Sequence, residues 1–153
     1  MLNENSIIKL KTEIKSPRRF VFVLMESFTL LSFASALDAL RIANRMSGKK
    51  LYDWTFIGEN EVFVSCSAGT QFKLDNSLIE LHRDDTILLC GGTKIQESTT
   101  KKLIGWLRRE ARRGLVIGGL CTAAYPMAKA GLLDDKKATI HWENQDSFAE
   151  EFL

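Results

Sequence analysis

The sequence has no large excess of charge of either sign. Twenty-one Lys and Arg residues stand against nineteen Asp and Glu residues, which leaves a net charge of +2 over 153 residues. This excess is too small for bulk electrostatics to indicate binding to nucleic acid or to a membrane surface. The apolar fraction of 45% is ordinary for a soluble globular protein. The length and composition therefore favour one domain with a hydrophobic core.

Cysteines and long hydrophobic runs are also scarce. The three cysteines have no Cys-x-x-Cys spacing: Cys66, Cys90 and Cys121. Neither a disulfide framework nor a metal site is predicted, so we expect no cofactor and a reducing, cytoplasmic compartment. The longest stretch of low charge, residues 28–37, contains hydroxyl side chains and falls far short of the ~20 apolar residues of a membrane span. No membrane partner is expected.

The first nineteen residues mix charges with short apolar pairs, unlike the apolar region of a signal peptide. We predict a flexible N-terminal arm over residues 1–19 and one domain over residues 20–153. The chain stops directly after a predicted helix, so we also expect that it is part of a longer protein and has been truncated at its C-terminus.

Strand and helix patterns alternate along the chain. Continuous apolar runs predict buried strands at 20–24, 86–90 and 115–118, and shorter strands are predicted at 52–58, 61–65, 71–74 and 138–140. Apolar residues at helical spacing predict helices at 29–46, 99–112, 123–130 and 145–152. This alternation predicts an α/β fold with a mostly parallel sheet and helices on both faces.

The segment from Val116 to Ala124 carries the sharpest local motif. A strand-forming run leads through Gly118 and Gly119 to Cys121, and small residues then open a helix. A nucleophile elbow needs this pattern, because its strained turn tolerates no bulk nearby. Free backbone N–H groups at a helix N-terminus favour an anion and offer an oxyanion site. A small, buried, hydrophobic thiol is the alternative that the spacing leaves open.

Further candidates lie at the ends of other predicted strands. His141 follows the strand at 138–140 and is expected at the same carboxyl edge of the sheet as Cys121. A Cys–His pair indicates nucleophilic catalysis, but without a third, orienting acid a structural or ligand-contacting histidine is favoured. Gly91 and Gly92 either present backbone N–H groups at this edge or only form the turn.

Three tryptophans are candidates for lining a pocket: Trp54, Trp106 and Trp142. Trp142, beside His141, is the best placed of them, and an aromatic face suits a cationic or quaternary ammonium ligand. Core packing is the more frequent use of tryptophan and is expected for Trp106, which lies on an apolar helical stripe. The basic residues of the same helix are expected to form a solvated face rather than a DNA patch.

Several of these stretches resemble a known superfamily. They are the segment 22–44, the run from Leu89 to Gly92 and the segment 114–143, which ends in His141-Trp142-Glu143. The sequence resembles the class I glutamine-amidotransferase-like proteins of the PfpI/ThiJ group. More narrowly, it is similar to the N-terminal domain of GlxA-type regulators of the AraC family, including regulators of glycine betaine and carnitine catabolism. The resemblance implies a flavodoxin-like fold.

Two departures from the superfamily pattern bear on catalysis. Enzymes of the superfamily carry a carboxylate four residues before a proline in the first helix, where it contacts the nucleophilic cysteine. Ala36 stands at the proline position here, which puts Ser32 at the position of the acid. Proteases of the group also place a histidine directly after the cysteine, where this chain has Thr122. Because a serine cannot serve as that general acid or base, the departures favour a protein that is not an enzyme.

The resemblance thus implies a ligand-sensing domain in transcription regulation. Its small-molecule effector, a quaternary ammonium or amino-acid-like compound, is expected to bind around six residues: Gly91, Gly92, Cys121, Thr122, His141 and Trp142. The alternative is a cysteine-dependent hydrolase or deglycase that uses Cys121 and His141 as catalytic residues. Such regulators contact DNA through a helix-turn-helix domain, which is absent from this sequence.

A homodimer is expected as well. The helical stripe of Phe33, Leu37 and Leu40 is more apolar than packing on one sheet face requires, and the superfamily resemblance also implies a dimer. Such an interface buries on the order of 1,600 Å² in total.

Overall fold

The computed structural model describes residues 16–60 and 62–152. Its strands are β1 (Arg18–Leu24), β2 (Tyr52–Ile57), β3 (Phe63–Ser65), β4 (Gln71–Lys73), β5 (Thr86–Cys90) and β6 (Val116–Leu120). Its helices are α1 (Leu30–Ser47), α2 (Ile95–Ser98), α3 (Lys101–Arg112), α4 (Ala124–Lys129) and α5 (Gln145–Phe152). A 3₁₀ turn, Trp142–Asn144, leads into α5.

Four parallel strands form the main sheet, in the order β2-β1-β5-β6. Strands β3 and β4 form a separate antiparallel pair. Because all four strands of the main sheet run in one direction, their carboxyl ends meet at one edge. The loops that follow β1, β2, β5 and β6 therefore converge there, as in other open α/β sheets.

Both faces of the sheet are covered, which explains the continuous apolar runs in the sequence. Alternate residues of β1 point to opposite sides. Val21 and Val23 belong to the core cluster that includes the apolar side chains of α3 and α4. Phe22 and Leu24 belong to the cluster on the other face, beneath α1 and the β3–β4 pair. The expected α/β fold with helices on both faces is confirmed.

An aromatic cluster holds α1 on the sheet. The ring of Phe33, which is 2% exposed, lies 5.3–5.6 Å between centroids from four other rings, those of Phe22, Phe28, Phe56 and Phe72. All four contacts are edge-to-face, the geometry that aromatic quadrupoles favour. One side chain thus connects β1, β2, β4 and α1.

The predicted strand at 138–140 is wrong. Ile140 is buried, and directly after this segment the His141 N–H donates to the carbonyl of Cys121, one residue beyond β6, at 3.2 Å. A strand needs a ladder of such bonds, and the described residues 138–140 form none with β6. The β-branched residues of this segment, Thr139 and Ile140, therefore reflect the burial of Ile140 and not a strand.

The ends of several elements also differ from the predicted ones. Strand β1 begins at Arg18, two residues before the predicted domain start, because the Arg18 N–H donates to the Leu51 carbonyl and Arg19 forms an ion pair with Asp85. Residues 1–15 of the predicted arm lie outside the described residues. Strand β6 extends to Leu120 instead of ending at 118, since Gly119 and Leu120 pair with β5.

Within the part of the chain that the structure describes, no helix combines the length and the apolar character required to cross a membrane.

The aromatic cluster gives a stability prediction. Replacing Phe33 by Ala leaves a cavity between α1 and the sheet, so we expect the free energy of unfolding in urea to fall by about 3–5 kcal/mol. Val62, before β3, is 55% exposed and lies outside α1, and Val62→Ala should change the free energy by less than about 0.5 kcal/mol. A loss below about 1 kcal/mol for Phe33→Ala would contradict this role.

Candidate functional site

Cys121 occupies the sharp turn between β6 and α4. Its φ of 58° lies in the left-handed region, which residues other than glycine seldom adopt. The turn is closed by the Ala123 N–H, which donates to the Leu120 carbonyl at 3.1 Å. The strand, the strained cysteine and the following helix reproduce the backbone arrangement of a nucleophile elbow.

The thiol of Cys121 faces the loop after β1. Its Sγ lies 3.3 Å from Oγ1 of Thr29, the residue that immediately precedes α1. Ser32, at the position of the enzymes' carboxylate, donates its hydroxyl to the Thr29 carbonyl at 3.1 Å. The described side-chain hydrogen-bond partner of the thiol is therefore a hydroxyl group, that of Thr29, and not a carboxylate.

Gly91 and Gly92 are both buried at a place where neighbouring loops pack closely together, which we call the diglycine junction. A Cβ on Gly92 would lie 1.9 Å from the Ser27 carbonyl oxygen, and one on Gly91 would lie 2.6 Å from the Thr122 hydroxyl. The Gly91 carbonyl accepts the Thr29 N–H at 2.9 Å. The two glycines are thus required by the close approach of neighbouring loops, which agrees with the turn-forming alternative.

Thr122 and His141 lie on either side of the elbow. Thr122 is 4% exposed and donates its hydroxyl to the Gly92 carbonyl at 2.9 Å. The backbone N–H of His141 donates to the Cys121 carbonyl. The imidazole of His141 is partly exposed, and its Nδ1 lies 3.9 Å from Oε2 of Glu143. The structure therefore brings His141 to the cysteine, but its imidazole is not among the hydrogen-bond partners of the thiol.

The three tryptophans have different surroundings. Trp106 is 3% exposed and its Nε1 donates to the Ile79 carbonyl at 2.7 Å, which confirms its place in the core. Trp54 is half-buried against the core cluster beneath α1. Trp142 is 72% exposed, with its ring 5.8 Å from that of His141. Of the three described tryptophans, Trp142 is the one that is largely exposed and adjacent to His141.

The cysteines differ in accessibility. Cys66 and Cys90 are buried, whereas Cys121 is partly exposed. Burial raises the pKa of the Cys90 thiol well above its usual range. The described residues include no group of three His, Cys, Asp or Glu side chains that could hold a metal ion.

Five of the six predicted site residues are therefore grouped at the elbow and the diglycine junction, and Trp142 extends outward beside His141. Thr29 is the neighbour that the sequence analysis missed. The sequence does contain a signal for Thr29, because a residue between the first strand of a parallel sheet and the helix that follows lies at the carboxyl edge of the sheet.

A four-stranded parallel sheet with helices on both faces and a cysteine elbow at its carboxyl edge defines a flavodoxin-like α/β protein. The family model of the DJ-1/PfpI family matches residues 18–151. The chain belongs to this family.

Curated relatives of the chain include transcriptional regulators. It is 36% identical over 138 residues to the HTH-type transcriptional regulator GbdR of Pseudomonas aeruginosa, covering 90% of this chain and 38% of that protein. It is 33% identical to the regulator GlxA of Rhizobium meliloti, covering 92% of this chain and 44% of that protein. The chain thus spans about two fifths of the length of these relatives.

Solved structures agree with the fold. An AraC family transcriptional regulator from Pseudomonas putida superposes with a TM-score of 0.74 at 29% identity, over 88% of this chain and 72% of that one. A ThiJ/PfpI family protein from Pseudomonas syringae superposes with a TM-score of 0.70 at 19% identity, over 88% of this chain and 54% of that one. The expected resemblance to the PfpI/ThiJ group and to AraC-type regulators is confirmed.

The diglycine junction can be tested by a pair of glycine substitutions. Gly92→Ala places a methyl group against the Ser27 carbonyl, so we expect the free energy of unfolding to fall by roughly 3 kcal/mol or more. Gly105 lies on the exposed side of α3 with open space around it, and Gly105→Ala should raise the free energy by about 0.5–1 kcal/mol. Chemical denaturation measures both, and equal effects would contradict the steric role of Gly92.

Proposed function

We propose that this chain is the ligand-sensing part of an AraC-type transcriptional regulator and binds a small metabolite without catalysis at the carboxyl edge of the sheet. The observation that carries the proposal is the similarity of about nine tenths of the chain to curated transcriptional regulators. DNA contact then belongs to the helix-turn-helix part of such regulators. The metabolite site is centred on six residues: Gly91, Gly92, Cys121, Thr122, His141 and Trp142.

The surroundings of Cys121 support a role without catalysis. A general base needs a pKa near the working pH, and the hydroxyls of Thr29 and Ser32 do not meet this condition. His141 contacts the cysteine through its backbone, and its imidazole points toward Glu143. The thiol therefore has neither an acid nor a base among its described hydrogen-bond partners.

One observation favours a second candidate, a cysteine-dependent hydrolase or deglycase. The left-handed backbone of Cys121 stores strain at a strand-to-helix turn, which is where nucleophiles of elbow enzymes lie. In this candidate Cys121 is the nucleophile and His141 its base. A rotation of the imidazole toward Sγ would be required.

Trp142 supports an organic cation as the ligand. Its exposed indole beside His141 offers an aromatic face to a quaternary ammonium or to the ammonium of an amino-acid-like compound. The ligand enters from solvent, since the other side of the site is closed by the buried Thr122 and the diglycine junction.

Thermal unfolding with a panel of betaine, carnitine, choline and arginine tests the sensing role. A ligand at about 100 times its dissociation constant should add roughly 2.7 kcal/mol of stability, and Trp142→Ala should remove most of this gain. Trp142 is exposed, so its loss should leave the unliganded protein intact. Failure of every compound to stabilise the chain would refute this ligand class.

The catalytic alternative is decided by assays of the purified chain on peptide, ester and glyoxal substrates. We expect no turnover above that of Cys121→Ala. Turnover that Cys121→Ala abolishes would overturn the proposal and establish the hydrolase or deglycase.

The expected homodimer has a second candidate face on α1 besides the predicted stripe. Phe33 is buried, and Leu37 and Leu40 are partly buried against the core of their own chain, so the stripe offers only part of its apolar surface to a partner. The exposed apolar residues of α1 are Leu31, Ile42 and Met46, which lie within about 60° of helical arc at 100° per residue. We propose that this side of α1 packs against a second copy.

Sedimentation at micromolar concentration tests the dimer. We expect a species of two chain masses for the wild type and of one chain mass for Met46→Glu, because a charge at the 79% exposed Met46 must be desolvated in the interface but not in the monomer. Lys49→Glu, close by in the exposed turn after α1, is the matched control and should stay dimeric. A wild-type species of one chain mass would refute the dimer.

A further inference from the structure

A cavity of about 420 Å³ lies at the carboxyl edge of the sheet beside β1 and β2, at the opposite end of that edge from β6 and Cys121. This volume is within the roughly 300–1,000 Å³ typical of small-molecule sites. Its floor is made of six buried apolar side chains: Val23, Leu24, Met25, Val64, Leu74 and Leu103. The floor therefore suits a hydrocarbon group.

The mouth of the cavity is acidic. Three carboxylates line it, those of Glu26, Glu59 and Glu97, together with one ammonium group, that of Lys102. Three negative charges and one positive charge leave a net charge of −2 among these lining residues. Such a mouth attracts a cation and repels an anion.

Glu59 is held in a fixed position at the mouth. The Leu103 N–H donates to Thr100 Oγ1 at 3.1 Å, and the Thr100 hydroxyl lies 2.7 Å from Oε2 and 2.9 Å from Oε1 of Glu59. Thr100 is the N-cap of the 12-residue helix α3, so the carboxylate is positioned by a rigid element. An ionised carboxylate has about four acceptor sites, and the hydroxyl occupies one of them.

We propose that this cavity binds a small organic cation with a primary ammonium head and a short apolar body. The ammonium donates hydrogen bonds to Glu59 and its neighbouring carboxylates, and such charge-assisted bonds are the strong ones. None of the described residues that line the cavity is aromatic, so it lacks the faces that recognise quaternary ammonium groups. This site is independent of the metabolite site proposed around Cys121.

Calorimetric titration at low salt tests the proposal with pentylammonium chloride as the probe. We expect saturable binding that weakens as salt is added, because exposed charges are screened. 1-Pentanol, which lacks the charge, and pentyltrimethylammonium, which lacks the N–H donors, should each bind at least about tenfold more weakly.

Two variants assign the binding to the cavity. Glu59→Gln keeps the shape and removes the charge, so the affinity for pentylammonium should fall by about tenfold or more. Glu150→Gln, on the exposed side of α5, removes the same charge elsewhere and should leave the affinity unchanged. Glu26→Gln serves as the second cavity variant if Glu59→Gln lowers the melting temperature, since Glu26 is exposed.

The outcomes separate this site from the proposed function. Cys121→Ala and Trp142→Ala should leave pentylammonium binding unchanged, even where they abolish stabilisation by the metabolite panel. No heat of binding at roughly 10 mM pentylammonium, or equal binding of 1-pentanol or pentyltrimethylammonium, would overturn the cavity proposal. So would wild-type affinity in both Glu59→Gln and Glu26→Gln, while the sensing proposal would stand on its own tests.

Discussion

The contact between Gly92 and the Ser27 carbonyl is the constraint on which the carboxyl edge depends. It lets the loop after β1 lie directly on the end of β5, and the Thr122 hydroxyl then bonds to the Gly92 carbonyl from the β6 side. Three loops from three strands are thereby fixed against one another. Because Thr29 follows Ser27 by two residues, the same contact sets the distance between its hydroxyl and the thiol of Cys121.

The two proposed sites use this edge in different ways. At the β6 end, the junctions between loops are buried, Cys121 and His141 are partly exposed and Trp142 is largely exposed, so the recognition proposed there depends on a few side chains. At the β2 end, a cavity between β1 and α3 is lined by buried apolar side chains and by carboxylates. Both proposed sites lie at one edge of a parallel sheet, since its topology gathers successive loops on one side.

More of the fold than of the candidate site could be predicted from the sequence. Strand β5 was predicted at its observed bounds, because a strand covered on both faces must be a continuous apolar run. The arrangement of strands also predicts that Cys121 and Gly91 lie at one edge. It does not predict that Thr29 contacts the thiol or that Thr122 is buried, because these depend on loop paths and side-chain directions. Ile140 was misassigned to a strand since burial without backbone pairing leaves the same sequence pattern.

Because the three cysteines differ in burial, the rates at which they are alkylated report on different parts of the structure. A thiol reagent reaches the partly exposed Cys121 in the folded protein. Cys90 is buried in the core, and its burial favours the protonated thiol. Fast alkylation therefore marks the elbow and any ligand that shields it. Slow alkylation of Cys90, at the end of β5, follows the opening of the main sheet, so one time course separates site occupancy from global unfolding.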